Sequence, residues 1–248
     1  MKILSLLYRK EAEYASGYTP VFDMQKIDPL YNETFKGLRA KVEHKIDMLE
    51  LKSLAVTSAV AGEGKTLTAI NLAVNMANTG RKRVLLMDLD LRKPSIAGMM
   101  DIAAGPGLSE YLSGAVSKDE IIQKSTFPGL FIIPAGKTLS SPADLLAGEK
   151  LRSLLRDIRV CFDLVITDTP PVLPVPDALT LSEQLDAFIM LFRLMHTPHQ
   201  LFRKAMEELG ERKIMGVVLN GEEKKTEKYY SRYYGKYYTS IHSEGNDR

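Results

Sequence analysis

The sequence has a single cysteine, Cys161, among its 248 residues. One cysteine excludes a disulfide framework within the chain, and this usage is typical of a protein in a reducing compartment. Val160 and Phe162 flank Cys161 in an apolar stretch. We therefore expect a buried thiol rather than a nucleophile.

Long apolar runs and an excess of one charge are also missing. No uncharged apolar stretch reaches the roughly 18 residues that a membrane-spanning helix requires. The apolar run at residues 3–7 is too short for the core of a signal peptide. The formal net charge of +2 gives no electrostatic indication of nucleic-acid or membrane binding. We expect a cytoplasmic protein whose membrane association would come from a partner, and we expect no nucleic-acid partner.

The histidines do not form a pattern that is typical of a metal site. Only His196 and His199 share a helical spacing, and neither has a cysteine or carboxylate at a metal-ligand spacing. We interpret the histidines as surface residues or as local hydrogen-bonding residues.

The chain divides into three predicted segments. Residues 1–30 mix charge, tyrosine, glycine and proline without periodicity, which predicts an irregular N-terminal arm. Residues 31–221 form the core domain and begin with a helix at 31–51, for which Asn32 is the expected N-cap. Residues 222–248 are charged and rich in tyrosine, then small and polar, which predicts a flexible, disordered tail.

Short strand-forming runs alternate with helical patterns through the core domain. The runs lie at residues 54–57, 84–87, 130–133, 164–167, 187–192 and 214–219. This alternation predicts an α/β fold, a three-layer sandwich with a mostly parallel central sheet and helices on both faces.

The first predicted strand leads into a variant phosphate-binding loop at residues 58–66. Backbone amides of such a loop bind phosphate oxygens, the Lys65 ammonium neutralises their charge, and the Thr66 hydroxyl can ligate Mg²⁺. Ala59 stands in place of the first glycine of the general pattern. The predicted nucleotide-binding residues are Ala61, Gly62, Glu63, Gly64, Lys65, Thr66 and Leu67.

Three aspartates lie at the C-terminal ends of predicted strands. Asp88 and Asp90 follow the second run and Asp168 follows the fourth. Ligands of open parallel sheets bind at this edge. Alternation along an extended strand would place Asp88 and Asp90 on the same side, where both can face one metal ion. An aspartate in the position of Asp168 holds magnesium through water in other phosphate-loop NTPases.

Six of the eleven tyrosines lie within ten residues near the C-terminus. The residues between them are small or charged, so the segment lacks aliphatic partners for a folded core. We interpret it as a tail that displays hydroxyl groups. The six residues are Tyr229, Tyr230, Tyr233, Tyr234, Tyr237 and Tyr238.

Together these features resemble the bacterial tyrosine kinases, also called polysaccharide-biosynthesis tyrosine autokinases, which share the P-loop NTPase fold of MinD and ParA. The resemblance covers about residues 31–238. It rests on the Gly-Glu-Gly-Lys-Thr loop at 62–66, the Asp-Leu-Asp-Leu-Arg motif at 88–92, the Asp-Thr-Pro-Pro motif at 168–171 and the tyrosine cluster. MinD-type ATPases carry an additional lysine early in the loop, where this chain has Val60, and this difference favours the kinase branch.

The resemblance implies an autokinase that uses ATP and Mg²⁺ to phosphorylate its own tail tyrosines, between subunits, and thereby regulates exopolysaccharide or capsule biosynthesis and export. Its implied catalytic residues are Lys65, Asp88, Asp90 and Asp168, of which Asp88 orients or deprotonates the tyrosine hydroxyl. The implied metal ligands are Thr66, Asp90 and Asp168. Arg92 is expected either to contact phosphate or substrate or to pair with a neighbouring acid.

The first helix resembles the family's Glu-x-x-Arg-x-x-Arg oligomerisation motif through Glu33, Lys36 and Arg39. Lys36 keeps the charge of arginine but loses its bidentate geometry. A charged face on an ordinary docked helix remains the alternative interpretation. The resemblance also implies a homo-oligomer such as a ring, a membrane-embedded polysaccharide co-polymerase that activates the chain at the inner face of the plasma membrane, and a tyrosine phosphatase.

Two other functions remain open from the sequence. A MinD-like or ParA-like positioning ATPase is disfavoured by Val60 and by the lack of a C-terminal amphipathic helix. A noncatalytic module could instead use the tyrosine tail to stack on single-stranded nucleic acid or glycans. The absence of an extended basic groove in the sequence pattern disfavours that function.

Overall fold

The structure is a computed structural model that describes residues 4–6 and 29–221, with side chains from residue 31 onwards. The predicted tail at 222–248, with all six of its tyrosines, lies outside the described residues, as does most of the predicted N-terminal arm.

The described residues contain one eight-stranded sheet, in the order β1-β8-β7-β2-β6-β3-β5-β4. All neighbouring strands are parallel except β4 and β5, which are antiparallel. The six predicted runs correspond to β2, β3, β5, β6, β7 and β8, so the predicted α/β fold is confirmed. The strands are β1 (Leu4–Leu6), β2 (Ser53–Ser58), β3 (Val84–Asp88), β4 (Gln123–Lys124), β5 (Leu130–Ile133), β6 (Leu164–Asp168), β7 (Ala187–Arg193) and β8 (Ile214–Asn220).

Helices cover both faces of this sheet and form two hydrophobic cores. One core joins α1 and α2 to alternate strand residues such as Val84 and Leu86, and the other joins α7, α8 and α9 to residues such as Leu85 and Met87. The helices are α1 (Pro29–Leu49), α2 (Lys65–Ala77), α3 (Ile96–Met100), α4 (Leu108–Ser113), α5 (Lys118–Ile121), α6 (Ala143–Ala147), α7 (Glu149–Cys161), α8 (Asp177–Ser182) and α9 (His199–Leu209), with a 3-10 turn at Glu211–Lys213.

The two ends of the described chain differ in detail from the sequence predictions. Residues 4–6 of the predicted irregular arm form β1, which pairs in parallel with the edge of β8. Pairing with a distant strand, rather than any local pattern, makes these residues extended. The first helix begins at Pro29 and not at Asn32, so the prediction that Asn32 is the N-cap was wrong. Proline is well suited to the first position of a helix because it has no N–H to leave unpaired.

Cys161 is exposed, so the prediction of a buried thiol was wrong. It is the last residue of α7, and the buried face of that helix is already formed by Leu151, Leu154, Leu155 and Ile158. Phe162, which is 5% exposed, fills the core immediately after the helix. Val160, the apolar residue on the other side of Cys161, is 88% exposed. The two apolar neighbours of Cys161 therefore differ in burial and do not indicate a buried thiol.

None of the helices in the part of the chain that the structure describes combines the length and apolar character that crossing a membrane would require.

Candidate nucleotide-binding site

The loop between β2 and α2 has the backbone shape of a phosphate-binding loop. Gly62 and Gly64 have φ angles of +80° and +91°, and Gly64 is the N-cap of α2. A Cβ atom on Gly64 would lie 2.5 Å from the Asn220 side-chain nitrogen, so glycine is required there by space as well as by conformation. The loop therefore ends at the N-terminus of α2, where unpaired amides attract phosphate.

A cavity of about 440 Å³ opens beside this loop. All the predicted nucleotide-binding residues except Glu63 line it. The cavity thus brings together the loop, the residues after β3 and the residues after β6. Its lining residues are Ala61, Gly62, Gly64, Lys65, Thr66, Leu67, Asp90, Arg92, Lys93, Ser95, Met99, Pro170, Pro171, Pro174, Val175 and Arg193.

Glu63 has a different environment from its neighbours in the loop. Its side chain is fully buried and accepts hydrogen bonds from the Val60 amide at 2.8 Å, the Arg193 amide at 3.2 Å and the Thr197 hydroxyl. Its carbonyl oxygen accepts a 2.8 Å hydrogen bond from the Asn220 side chain. Glu63 therefore fixes the conformation of the loop, and the sequence pattern alone did not indicate this.

The segment between β7 and α9 also supports the outer part of the loop. The Arg193 guanidinium donates a 2.7 Å hydrogen bond to the carbonyl oxygen of Gly62. The His196 ring nitrogen Nε2 lies 3.1 Å from the carbonyl oxygen of Ala61. Together with the end of β8, this segment holds the loop from the side opposite the three aspartates.

Asp88 is the last residue of β3 and is fully buried. One carboxylate oxygen accepts the Asp90 amide, and the other accepts the amides of Ser95 and Ile96, each at 3.1 Å. Burial, with a smaller contribution from the charge of Asp90, raises the pKa of Asp88 to about 7. Asp88 shapes the turn after β3 but does not line the cavity.

Asp90 lies beyond the end of β3, which is Asp88. The alternation of side chains along a strand, which predicted that Asp88 and Asp90 lie on the same side, therefore does not apply to Asp90. Asp90 lines the cavity and is 8% exposed. Burial raises its pKa, while the Lys93 amide at 3.0 Å and the nearby Lys65 ammonium oppose that rise. Of the three aspartates, Asp90 is the one in contact with the cavity.

Asp168 ends β6 directly opposite Asp88 in the neighbouring strand. Burial and the charge of Asp88 raise its pKa well above the usual range. The Thr66 hydroxyl donates a short hydrogen bond to Oδ2, whereas Oδ1 is buried without a partner among the described residues. An unpaired carboxylate oxygen next to a threonine hydroxyl fits a hydrated Mg²⁺ ion, which prefers oxygen ligands and keeps several waters.

The described residues contain no cluster of three or more histidine, cysteine or acidic side chains that could hold a metal by itself. This is compatible with Mg²⁺ at Thr66, Asp90 and Asp168, because Mg²⁺ in nucleotide sites is bound by few protein groups together with substrate phosphates.

Arg92 forms an ion pair at the rim of the cavity. Its guanidinium makes hydrogen bonds of 2.7 Å and 3.0 Å to the two carboxylate oxygens of Asp177, which is fully buried. A third hydrogen bond of 2.6 Å reaches the carbonyl oxygen of Ser140. Of the two alternatives from the sequence, pairing with an acid is therefore the one present.

The three predicted oligomerisation residues lie on α1, away from the cavity. Glu33 and Lys36 are exposed and pair with each other at 2.6 Å. The Nε atom of Arg39 is buried without a hydrogen-bond partner among the described residues.

Comparison with known proteins agrees with this geometry. The AAA domain family matches residues 51–191. The tyrosine-protein kinase YwqD of Bacillus subtilis is 34% identical over 211 residues, which cover 84% of this chain and 88% of that protein. The chain belongs to the bacterial tyrosine kinases.

Solved structures place this bacterial tyrosine kinase in the same fold class. The kinase domain of the Escherichia coli tyrosine kinase ETK is 26% identical, with a TM-score of 0.78 over 88% of this chain and 89% of that one. MinD from Pyrococcus horikoshii, solved with Mg-ADP, is 20% identical, with a TM-score of 0.56 over 68% of this chain and 70% of that one. This second likeness extends to the fold alone.

Proposed function

We propose that this bacterial tyrosine kinase binds ATP with Mg²⁺ in the cavity beside α2 and transfers the γ-phosphoryl group to its own tail tyrosines. The observation that carries the proposal is the shared cavity of Lys65, Thr66 and Asp90 at the N-terminus of α2. A phosphate-binding loop, a cation and a carboxylate in one cavity are the parts that a phosphoryl transfer needs.

Each residue in the cavity has a proposed role. The loop amides at 61–67 and the Lys65 ammonium bind and stabilise the phosphate charge, which spreads over the phosphoryl oxygens during transfer. Thr66, Asp90 and Asp168 would hold Mg²⁺, which supplies further charge stabilisation when bound. From the sequence, the role of orienting or deprotonating the tyrosine hydroxyl falls to Asp88. Asp88 is buried and does not line the cavity, so we give Asp88 the positioning of the Asp90 amide and leave Asp90 as a ligand of Mg²⁺.

The position of the C-terminal end of β8 supports the tail tyrosines as the phosphate acceptors. Strand β8 is two positions from β2 in the sheet, so their C-terminal ends are about 10 Å apart at ordinary strand spacing. Tyr229 lies eight residues after Gly221, and a chain of that length spans at most roughly 29 Å. The tail therefore starts at the edge of the sheet that carries the nucleotide site.

We also propose that the phosphoryl group passes from the site of one subunit to the tail of another. The chain length permits a tail tyrosine to reach either its own site or that of a neighbour, so the support comes from α1. Its exposed Glu33 and Lys36, which pair with each other at 2.6 Å, offer charged groups to a second copy.

The proposed biological role is control of exopolysaccharide or capsule assembly, which follows from the family resemblance. Each phosphotyrosine adds about 1.5 to 2 negative charges, so several on adjacent tail residues would repel one another, and the oligomer would dissociate. We also propose a cytoplasmic location, recruitment to the membrane by a separate membrane-embedded activator, and reversal by a tyrosine phosphatase.

Phosphopeptide mass spectrometry after incubation with ATP and Mg²⁺ tests the proposal directly. We expect phosphate on tyrosines of residues 229–238 in the unsubstituted protein and none in Lys65→Met, purified from a host without other tyrosine kinases. Phosphotyrosine on Lys65→Met would contradict autokinase activity. Phosphate confined to one of the other five tyrosines would place the acceptor outside the tail, at Tyr8, Tyr14, Tyr18, Tyr31 or Tyr111.

A further inference from the structure

The cationic side chains that line the nucleotide cavity differ in what they already bind. Among the described residues they are Lys65, Arg92, Lys93 and Arg193. Arg92 binds the buried Asp177 and the carbonyl oxygen of Ser140. Arg193 donates to the carbonyl oxygen of Gly62. Both arginines therefore hold parts of the protein to one another.

Lys93 differs from the two arginines because its ammonium is available to a ligand. It makes no hydrogen bond or ion pair with any residue that the structure describes. Exposed lysines elsewhere on the surface are also unpaired, but the side chain of Lys93 lines the cavity. A ligand in this cavity would therefore find a cation that no protein group neutralises.

The backbone of Lys93 is fixed beside Asp90. The Lys93 amide donates a 3.0 Å hydrogen bond to the Oδ1 atom of Asp90. Burial raises the pKa of Asp90, and the Lys65 ammonium lies near enough to oppose that rise. The carboxylate of Asp90 is thus close to both lysines, to Lys65 from the phosphate loop and to Lys93 from the segment after β3.

The chemistry of a phosphate loop indicates which phosphate lies near Asp90. The loop amides bind the α- and β-phosphates, and the loop lysine reaches the β- and γ-phosphates. Asp90 is a proposed ligand of Mg²⁺, which bridges β- and γ-oxygens in such sites, so Asp90 belongs on the side of the γ-phosphate. The ammonium of Lys93 stands on a flexible four-carbon stem next to Asp90. It is therefore within reach of that phosphate.

We propose that the Lys93 ammonium binds the γ-phosphate of ATP and makes the site distinguish ATP from ADP. The inference rests on the proposed function, because it requires ATP in this cavity. Lys65 keeps a phosphate partner in either nucleotide, since it reaches the β-phosphate as well. Lys93 loses its partner once the γ-phosphoryl group has been transferred, which favours the exchange of ADP for ATP.

The charges around the site favour this role for a lysine. The γ-phosphate carries the negative charge that ATP has in addition to that of ADP. Charge-assisted hydrogen bonds to phosphate are stronger than neutral ones, and lysine binds phosphate as a point charge. A flexible lysine can also stay with the phosphoryl group as it moves, whereas the guanidinium of Arg92 is held by its two protein partners.

Isothermal titration calorimetry of the full chain with two nucleotides and Mg²⁺ tests this role. The probes are ADP and the ATP analogue with an imido group between the β- and γ-phosphates, which prevents turnover. For Lys93→Met we expect the Kd for the analogue to rise about tenfold, as the loss of a hydrogen bond to a charged group predicts. The Kd for ADP should change less than about twofold. Because Lys93 is exposed, the midpoint of urea unfolding should stay the same.

Two further variants separate this contact from a general effect of charge. Lys93→Arg keeps the positive charge and should bind the analogue within about threefold of the unsubstituted protein. Lys137→Met removes the same charge from an exposed lysine that does not line the cavity. It should leave both dissociation constants unchanged.

The outcomes distinguish failure of this inference from failure of the proposed function. Equal losses of affinity for both nucleotides in Lys93→Met would move the contact to the α- or β-phosphate. Unchanged affinities would show that Lys93 binds neither nucleotide. Either result overturns the inference while the unsubstituted protein still phosphorylates its tail. If the unsubstituted protein binds neither nucleotide, the proposed function is refuted and the role of Lys93 with it.

Discussion

Asp88 and Asp168 lie directly opposite each other on the neighbouring parallel strands β3 and β6, and both are almost completely buried. Two carboxylates in this arrangement cannot both ionise at low cost. The pKa of Asp88 is raised from 3.8 to about 7, mainly by burial, and burial together with the charge of Asp88 raises that of Asp168. The nucleotide site thus contains an acidic pair that destabilises the fold when it is charged.

This pair predicts an unusual pH dependence of stability in the absence of Mg²⁺ and nucleotide. The folded protein binds the Asp88 proton more tightly than the unfolded chain does, so the stabilisation is complete below pH 3.8 and is lost as the pH rises through about 7. Relative to Asp88→Asn, the unsubstituted protein should lose on the order of 2 kcal/mol of unfolding free energy between pH 5 and pH 8. Urea unfolding at several pH values measures this difference. The exposed substitution Asp119→Asn should show no such difference, and equal pH slopes for Asp88→Asn and the unsubstituted protein would contradict the assignment.

Glu63 is predicted to affect nucleotide binding without touching the nucleotide. Glu63→Gln keeps the shape of the side chain, but its NH2 group must face the backbone amide of Val60 or of Arg193, and both amides can only donate. A lost buried hydrogen bond costs about 1 to 3 kcal/mol, so the dissociation constant for ATP should rise roughly tenfold. Isothermal titration calorimetry measures this change. Glu211→Gln, at an exposed position, is the control, and equal affinity in both variants would show that the loop does not depend on Glu63.

The ion pair of Arg92 and Asp177 should make an asymmetric contribution to stability. Arg92→Met leaves the buried Asp177 carboxylate without its cation, which should cost about 3 kcal/mol of unfolding free energy. Asp177→Asn leaves only the partly exposed guanidinium unpaired and should cost less. The double variant should be more stable than Arg92→Met alone, as a double-mutant cycle in urea would measure. Additive losses in that cycle would mean that the two side chains do not stabilise each other.

Transfer between subunits predicts complementation between two inactive forms. Lys65→Met can only accept phosphate, and the variant with six tail phenylalanines can only donate it. When the two are mixed with ATP and Mg²⁺, Lys65→Met should gain phosphotyrosine at a rate that increases with the concentration of the donor. Quantitative mass spectrometry of the tail peptides measures the rate. Persistent absence of signal in the mixture, with activity in the unsubstituted protein, would establish transfer within one chain.

The sequence predicted the parts of the site whose pattern is local. Gly64-Lys65 after an apolar run indicated a phosphate loop followed by a helix, and α2 begins at Lys65. The runs before Asp88 and Asp168 indicated parallel strands, because buried parallel strands are continuously apolar. These features depend on neighbouring residues only.

Features that depend on distant contacts were not predictable in the same way. β1 requires the edge of β8, more than 200 residues away in the chain. No local pattern indicates that Glu63 turns away from the cavity, because its partners Arg193 and Thr197 lie over 100 residues later. Asp88 and Asp90 were expected to share one environment, but β3 ends between them.

The contact between Asn220 and Glu63 has a practical consequence for shortened forms of the protein. The last residue of β8 donates a 2.8 Å hydrogen bond to the phosphate loop and packs against Gly64. A truncation placed before Asn220 would therefore remove part of the nucleotide site together with the tyrosines, and its inactivity would say nothing about the acceptor. The boundary for a tailless kinase lies after Gly221.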